Sequence, residues 1–151
     1  MLRTRLSDAL KDSLRGRQER VTHTVRLILA ALKDRDIAAR PSGNATGIAE
    51  PEILSMMNGM IKQRRESIEM FEKGNRPELA KQEQEEIEII LTFMPKQMSD
   101  AEVAEAAKAA MAEAGATSVK DMGKVMAILK EKYAGQMDFA KASGIVKQQF
   151  G

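Results

Sequence analysis

Apolar residues return every three or four positions along almost the whole chain, and prolines and glycines stand between the runs. A 3.6-residue period marks a helix with one buried face, whereas a half-buried strand alternates every two residues. No convincing period-2 run occurs, so the chain reads as all-α. Leu2, Leu6, Leu10 and Leu14 fall on one face of a first helix, which Gly16 ends. Val21, Val25, Ile28 and Leu32 mark a second. It is apolar on more than one side from Leu27 to Leu32, which predicts burial between neighbours. Residues 38–47 hold Pro41, Ser42, Gly43, Asn44 and Gly47 and read as a flexible surface loop. Pro51 opens a long third helix whose stripe is Ile53, Met57, Met60, Ile61, Ile68 and Phe71, and Gly74 stops it. Asn75 to Glu78 cap a fourth, carried by Leu79, Ala80, Ile87, Ile90, Leu91 and Met94 and ended by Pro95.

Three shorter helices follow. Ser99 and Glu102 have the spacing of a capping box, and that helix is Ala-rich up to Gly115. Ser118 and Asp121 start the next, with Met122, Val125, Met126, Leu129 and Tyr133 on one face. Asp138 caps the last, with Phe139, Ala142, Val146 and Phe150 inside. The expected organisation is an N-terminal helical hairpin or bundle over residues 1–96 and a small three-helix domain over 97–151. No internal repeat or low-complexity tail stands out. A domain of about 55 residues is marginal by itself and needs near-ideal helices or supporting contacts.

Composition narrows the chemistry. The chain has no Cys, which excludes a disulfide scaffold, an iron–sulfur cluster and thiolate zinc sites. His23 is its single histidine, so a Glu-x-x-His di-metal bundle cannot be assembled from Glu83, Glu85 and Glu86. His23 also has no evident nucleophile partner or orienting acid. Ser13, Ser55, Ser67, Ser118 and Ser143 lie in no G-x-S-x-G elbow, and neither a P-loop nor G-x-G-x-x-G is present. Neither a cofactor nor a metal is expected. The longest apolar stretch, Leu27 to Leu32, is too short to span a bilayer and lacks signal-peptide organisation, which points to a cytoplasmic protein.

Net charge is only +2, yet it hides an asymmetry. Residues 1–40 carry ten Lys/Arg against five Asp/Glu. Residues 77–98 carry Lys81 and Lys96 against Glu78, Glu83, Glu85, Glu86 and Glu88. Either the basic second helix packs beside the acidic fourth, or a basic face helped by Lys62-Gln63-Arg64-Arg65 binds an anionic polymer. Met56, Met57, Met60, Met122 and Met126 recur at core-like spacing and read as adaptable core filling, or else as a plastic groove for a partner helix.

Lys62-Gln63-Arg64-Arg65-Glu66-Ser67-Ile68 carries a resemblance, continued by Gly74-Asn75-Arg76, Leu79-Ala80, Glu83, Glu86 and Leu91 to Met98. Gly115-Ala116-Thr117-Ser118 and Lys120 to Met126 follow, with Val25-Arg26-Leu27 and Ala31-Leu32-Lys33 upstream. Taken in order over nearly the whole chain, these segments resemble the GatB/YqeY family, and specifically its free-standing YqeY-like proteins. Asp138-Phe139 stands where many relatives have Asp-Gly, which predicts a more buried turn. The resemblance implies the two-part helical fold already inferred. It also implies kinship with the tail of the B subunit of the tRNA-dependent amidotransferase, a tRNA-binding appendage remote from the kinase and ammonia chemistry. A carbon–nitrogen ligase label, with glutamine as amido donor, is the extension it invites. The residues resist that label, because no ATP or acyl-phosphate site, ammonia source or nucleophile can be found among them.

The expected function is therefore a tRNA-binding accessory protein without its own catalytic site, acting beside a protein partner in aminoacyl-tRNA metabolism; a helical interaction adaptor is the other non-enzymatic reading. The candidate RNA contacts are Lys120, Lys124 and Lys130, with Lys62, Arg64 and Arg65. Gly115, Ser118, Asp121 and Gly123 are the structural part of the motif. Asp121 would cap, and Gly123 would let a backbone approach closely or pack a helix. Contacts would be to backbone and shape, since five aromatics are too few to stack splayed bases.

Overall fold

A computed structural model describes residues 1–150 and contains, among the described residues, seven α-helices and no strand. They are α1 (Leu2–Arg15), α2 (Glu19–Ala39), α3 (Glu50–Lys73), α4 (Pro77–Leu91), α5 (Asp100–Ala114), α6 (Met122–Lys132) and α7 (Phe139–Gln149). Short 3-10 turns cover Arg40–Ser42 and Val119–Asp121. The chain forms two units, Met1–Met94 and a second that begins at Pro95. Each has its own apolar core.

In the first unit α1 packs on α2 and α3 on α4, and α2 also lies against α4 and α3. Leu2, Leu6, Val25, Ile28, Leu32, Ile53, Met57, Ile61, Ile87 and Ile90 fill the core. Met56 is buried with them and Met60 is half-buried, so the methionine stripe of α3 is core. The leucine face of α1 is only half used. Leu10 is half-buried and Leu14, 50% exposed, lies beyond the core's reach. Leu27 on α2 is likewise 38% exposed.

Arg5 joins the ends of this unit. Its guanidinium donates to the Thr92 carbonyl at 3.0 Å and sits 5.7 Å from the Phe93 ring centre. It thereby serves carbonyls beyond the last turn of α4, where the helix has no partner of its own. The two ends of the loop after α2 are tied together. Arg3 pairs with Asp36 through two 2.8 Å hydrogen bonds. Arg3 also donates to the Ile48 carbonyl at 2.9 Å, and Asp36 Oδ1 accepts the Ile48 N–H at 2.9 Å. Beside the Arg3 guanidinium Asp36 is held well below its ordinary range, at about 2, with the Ile48 N–H helping. Gly47 closes the arrangement at φ 99°, with Arg3 2.6 Å from where a Cβ would stand.

Three helix starts are closed by local chemistry. Glu52 accepts the Ala49 N–H at 2.9 Å at the start of α3. Ser99 and Glu102 satisfy each other's backbone N–H groups at α5, and Asp138 accepts the Ala140 N–H at α7. However, Gly16 and Gly74 keep negative φ, and the left-handed residues are their successors Arg17 (φ 54°) and Asn75 (φ 56°). Asn75 therefore turns the chain rather than capping α4, whose N-cap is Arg76 with no side-chain bond.

In the second unit α5 packs on both α6 and α7, which also touch each other. Val103, Ala106, Ala107, Ala110, Val125, Leu129, Met137, Ala142 and Val146 form its core. Met122, Met126, Tyr133, Phe139 and Phe150 pack against it half-buried. Gln97 donates to the Gly135 carbonyl at 2.7 Å and Gln149 to Ala104 at 2.9 Å, tying the incoming chain to the α6–α7 turn and α7 to α5.

Candidate nucleic-acid interface

The six basic candidates are divided between the two units. Lys62, Arg64 and Arg65 lie on α3, and Lys120, Lys124 and Lys130 on or just before α6.

On α3 the four residues from Lys62 to Arg65 cover most of the helix circumference, so one must turn inward. Arg64 does. Its Nε donates to Glu86 Oε2 at 2.9 Å, and one terminal N–H group reaches the Met60 carbonyl at 3.2 Å. Both side chains are about nine-tenths buried, and Glu83 Oε2 is 3.9 Å from the same nitrogen. Burial pushes the Glu83 carboxyl above its ordinary value, Glu86 adds to that, and Arg64 opposes it. From α2, Arg20 approaches Glu85 at 3.4 Å and Glu86 at 3.7 Å, and His23 Nε2 is 3.7 Å from Glu86. The basic second helix and the acidic fourth therefore complement one another within the fold. Arg64 is withdrawn from the basic patch as a consequence, leaving Lys62 and Arg65 exposed on α3.

At α6 the arrangement is different. Gly115, at φ 63°, closes α5 in the left-handed conformation that glycine adopts without strain. Ser118 is extended, exposed and makes no capping bond. Asp121 does not cap α6 with its side chain. Its Oδ2 instead accepts the Thr117 N–H at 3.1 Å, bracing the 3-10 turn that leads into α6.

Lys120, Gly123, Lys124, Ala127 and Lys130 are all exposed. Gly123, Ala127 and Lys130 are spaced four and three apart, so they share one face of α6, and Lys124 and Glu131 border it. Lys124 and Lys130 are about 9 Å apart along the axis. Among the described residues none of the three lysines has an acidic partner within 4 Å, whereas Lys132, round the helix, binds Glu113 at 2.6 Å. Gly123 is not a close packing site within the protein, because a Cβ there would meet nothing within 4 Å.

Other features offer less. An open depression of about 420 Å³ is lined by apolar residues including Met98, Ala106 and Tyr133, together with Glu102 and Glu105. Glu102 is engaged in the α5 cap and Glu105 lies 3.8 Å from Lys108, so no acid–base pair converges there. Among the described residues no three His, Asp or Glu side chains are placed to hold a metal ion, and no helix is long and apolar enough to cross a membrane.

These features define a class: an all-α protein with an internally neutralised charge cluster in one helical unit and an unpaired basic helix face in the other. The sequence matches the Yqey-like protein family over residues 3–150, and the chain belongs to that family. It is 28% identical over 91 residues to a protein of Schizosaccharomyces pombe called uncharacterized, covering 60% of this chain and 70% of that one. It is 28% identical over 89 residues to "Altered inheritance of mitochondria protein 41, mitochondrial" of Vanderwaltozyma polyspora. The protein of the same name from Lachancea thermotolerans is 30% identical over 89 residues. Those matches cover 59% of this chain and 46% of each relative, so the chain spans under half the length of these two relatives.

Proposed function

We propose that this chain is a tRNA-binding accessory protein of aminoacyl-tRNA metabolism, contributing recognition rather than catalysis. The observation that carries the reading is the exposed face of α6 and the turn before it, where Lys120, Lys124 and Lys130 stand without acidic partners within 4 Å beside Gly123 and Ala127. Lysines on such a face neutralise phosphates and release counterions. The small residues keep the helix surface low, so a sugar–phosphate strand can lie close to it. This is recognition by backbone and shape, which suits structured RNA. The resemblance to the GatB/YqeY family implies kinship with the tail of the amidotransferase B subunit, which favours tRNA as the RNA, and any role in amidation is then one of presenting the tRNA. Lys62 and Arg65 form a secondary surface on α3. The cytoplasm is the proposed location, while the two yeast relatives carry names that place them in mitochondria.

Crosslinking in cells followed by RNA sequencing tests this. Enrichment of tRNA over ribosomal RNA, with the crosslinked peptide spanning residues 120–130, is the expected result. Recovery of protein partners that survives nuclease treatment, with no RNA enriched, would overturn it in favour of an adaptor. Glutamine- and ATP-dependent amidation of misacylated tRNA by the purified chain alone would overturn the non-catalytic part.

A further inference from the structure

Residues 121–133 and 138–150 repeat one another at an offset of 17. Asp121, Lys124, Ile128 and Lys130 recur as Asp138, Lys141, Ile145 and Lys147. Met122, Leu129 and Tyr133 are matched by Phe139, Val146 and Phe150, and Gly123 and Ala127 by Ala140 and Gly144. The letters alone are too dissimilar to declare the repeat, but the structure aligns it. Both helices have 11 residues with Asp at the N-cap. Val125 and Leu129 are buried where Ala142 and Val146 are buried. Gly123, Lys124, Ala127 and Lys130 are exposed where Ala140, Lys141, Gly144 and Lys147 are exposed.

The buried half of this pattern needs no further explanation, since both helices pack on α5. The exposed half is not required by packing. Glycine inside a helix is disfavoured relative to alanine by about 1 kcal/mol, and a Cβ at Gly144, as at Gly123, would meet nothing within 4 Å. Lys141 and Lys147 lack an acidic partner within 4 Å among the described residues. Lys132, which points away from the shared face, has its partner in Glu113, and Gln149 takes its place on α7. Glu131, the carboxylate bordering the α6 face, is replaced by the neutral Gln148.

We infer that the α7 face formed by Lys141, Gly144 and Lys147 is a second RNA-contacting surface, equivalent in register to the α6 face, so that the second unit grips sugar–phosphate backbone with two helices. This rests on the RNA-binding reading above and extends it to residues outside the sequence motif. A low helix surface flanked by lysines i and i+6 takes a phosphate strand, and the duplication provides for two such runs of one folded RNA.

The test is the salt dependence of binding of a tRNA transcript to the full chain. Each phosphate contact contributes about 0.7–0.9 to the slope of log affinity against log salt. The double variant Lys141→Gln/Lys147→Gln should lower that slope by about 1.4–1.8, with helicity unchanged by circular dichroism. Gly144→Leu, which adds bulk into open space on a helix, should weaken binding severalfold and leave the slope nearly unchanged. If the α7 variants bind as the wild type does while Lys124→Gln/Lys130→Gln lowers the slope, the inference fails and the RNA reading stands. If the unmodified chain binds no tRNA, both fall.

Discussion

Replacing Arg64 by Met removes the cation from a carboxylate that the fold has already taken out of water. Glu86 is 8% exposed, and Arg64 Nε is its one partner at hydrogen-bonding distance. Breaking a fully buried ion pair by removing one partner costs about 3–5 kcal/mol. Here Arg20, 3.7 Å from Glu86, compensates in part, so the expected loss for Arg64→Met is about 2–3 kcal/mol. Glu86→Gln is milder. It keeps an acceptor for Arg64, which also retains the Met60 carbonyl, so about 1–1.5 kcal/mol is expected. Arg64→Met/Glu86→Leu removes both members of the pair and should recover most of the Arg64→Met loss, leaving only the half-buried Glu83 without its cation. Urea titration followed by amide signals of α2, α3 and α4 measures the first unit separately from the second. An Arg64→Met variant within about 0.5 kcal/mol of wild type would show that the pair behaves as a solvated surface bridge and would refute the reasoning.

Three further outcomes follow from the same geometry. Gly47→Ala should destabilise the first unit by about 1–3 kcal/mol, because it strains a left-handed residue and its Cβ collides with the Arg3–Asp36 pair; urea denaturation reads it. Gly123→Ala should do the reverse, raising stability of the second unit by about 0.5–1 kcal/mol in thermal melts, since its Cβ enters open space on a helix. The Arg3–Asp36 clamp should fail in acid. Asp36 titrates near 2 in the fold against an ordinary 3.8, so its contribution is complete above about pH 4 and is lost as pH falls from there toward 2. The stability gap between wild type and Asp36→Asn should close over that window.

What was legible in the sequence was local. Pro51, Pro77, the Ser99–Glu102 pair and Asp138 each act within one helical turn, and each stands at a helix start. What depends on partners far along the chain was not legible. The tie between the two ends of the 38–47 loop is invisible in the sequence because its cation, Arg3, is 45 residues from Ile48. Arg64 looked like part of a basic surface because periodicity cannot say which of four adjacent polar residues faces Glu86, 22 positions on. Gly16 and Gly74 were sound stop signals, yet Arg17 and Asn75 took the left-handed conformation one residue later. At the candidate site the lysines and Gly123 could be picked out as a motif, but their lack of acidic partners and the open space above Gly123 needed coordinates. The equivalence of α6 and α7 was hidden because its identities are few, and it emerges only when burial is aligned with sequence.

The most direct test of the central proposal is the affinity of the full chain for a tRNA transcript, measured by fluorescence anisotropy across a salt series. Log affinity should fall linearly with log salt, and Lys120→Gln/Lys124→Gln/Lys130→Gln should flatten the slope by about 2–3 while the helices stay folded. Binding indifferent to salt, or a triple variant that follows the wild-type line, would contradict the account.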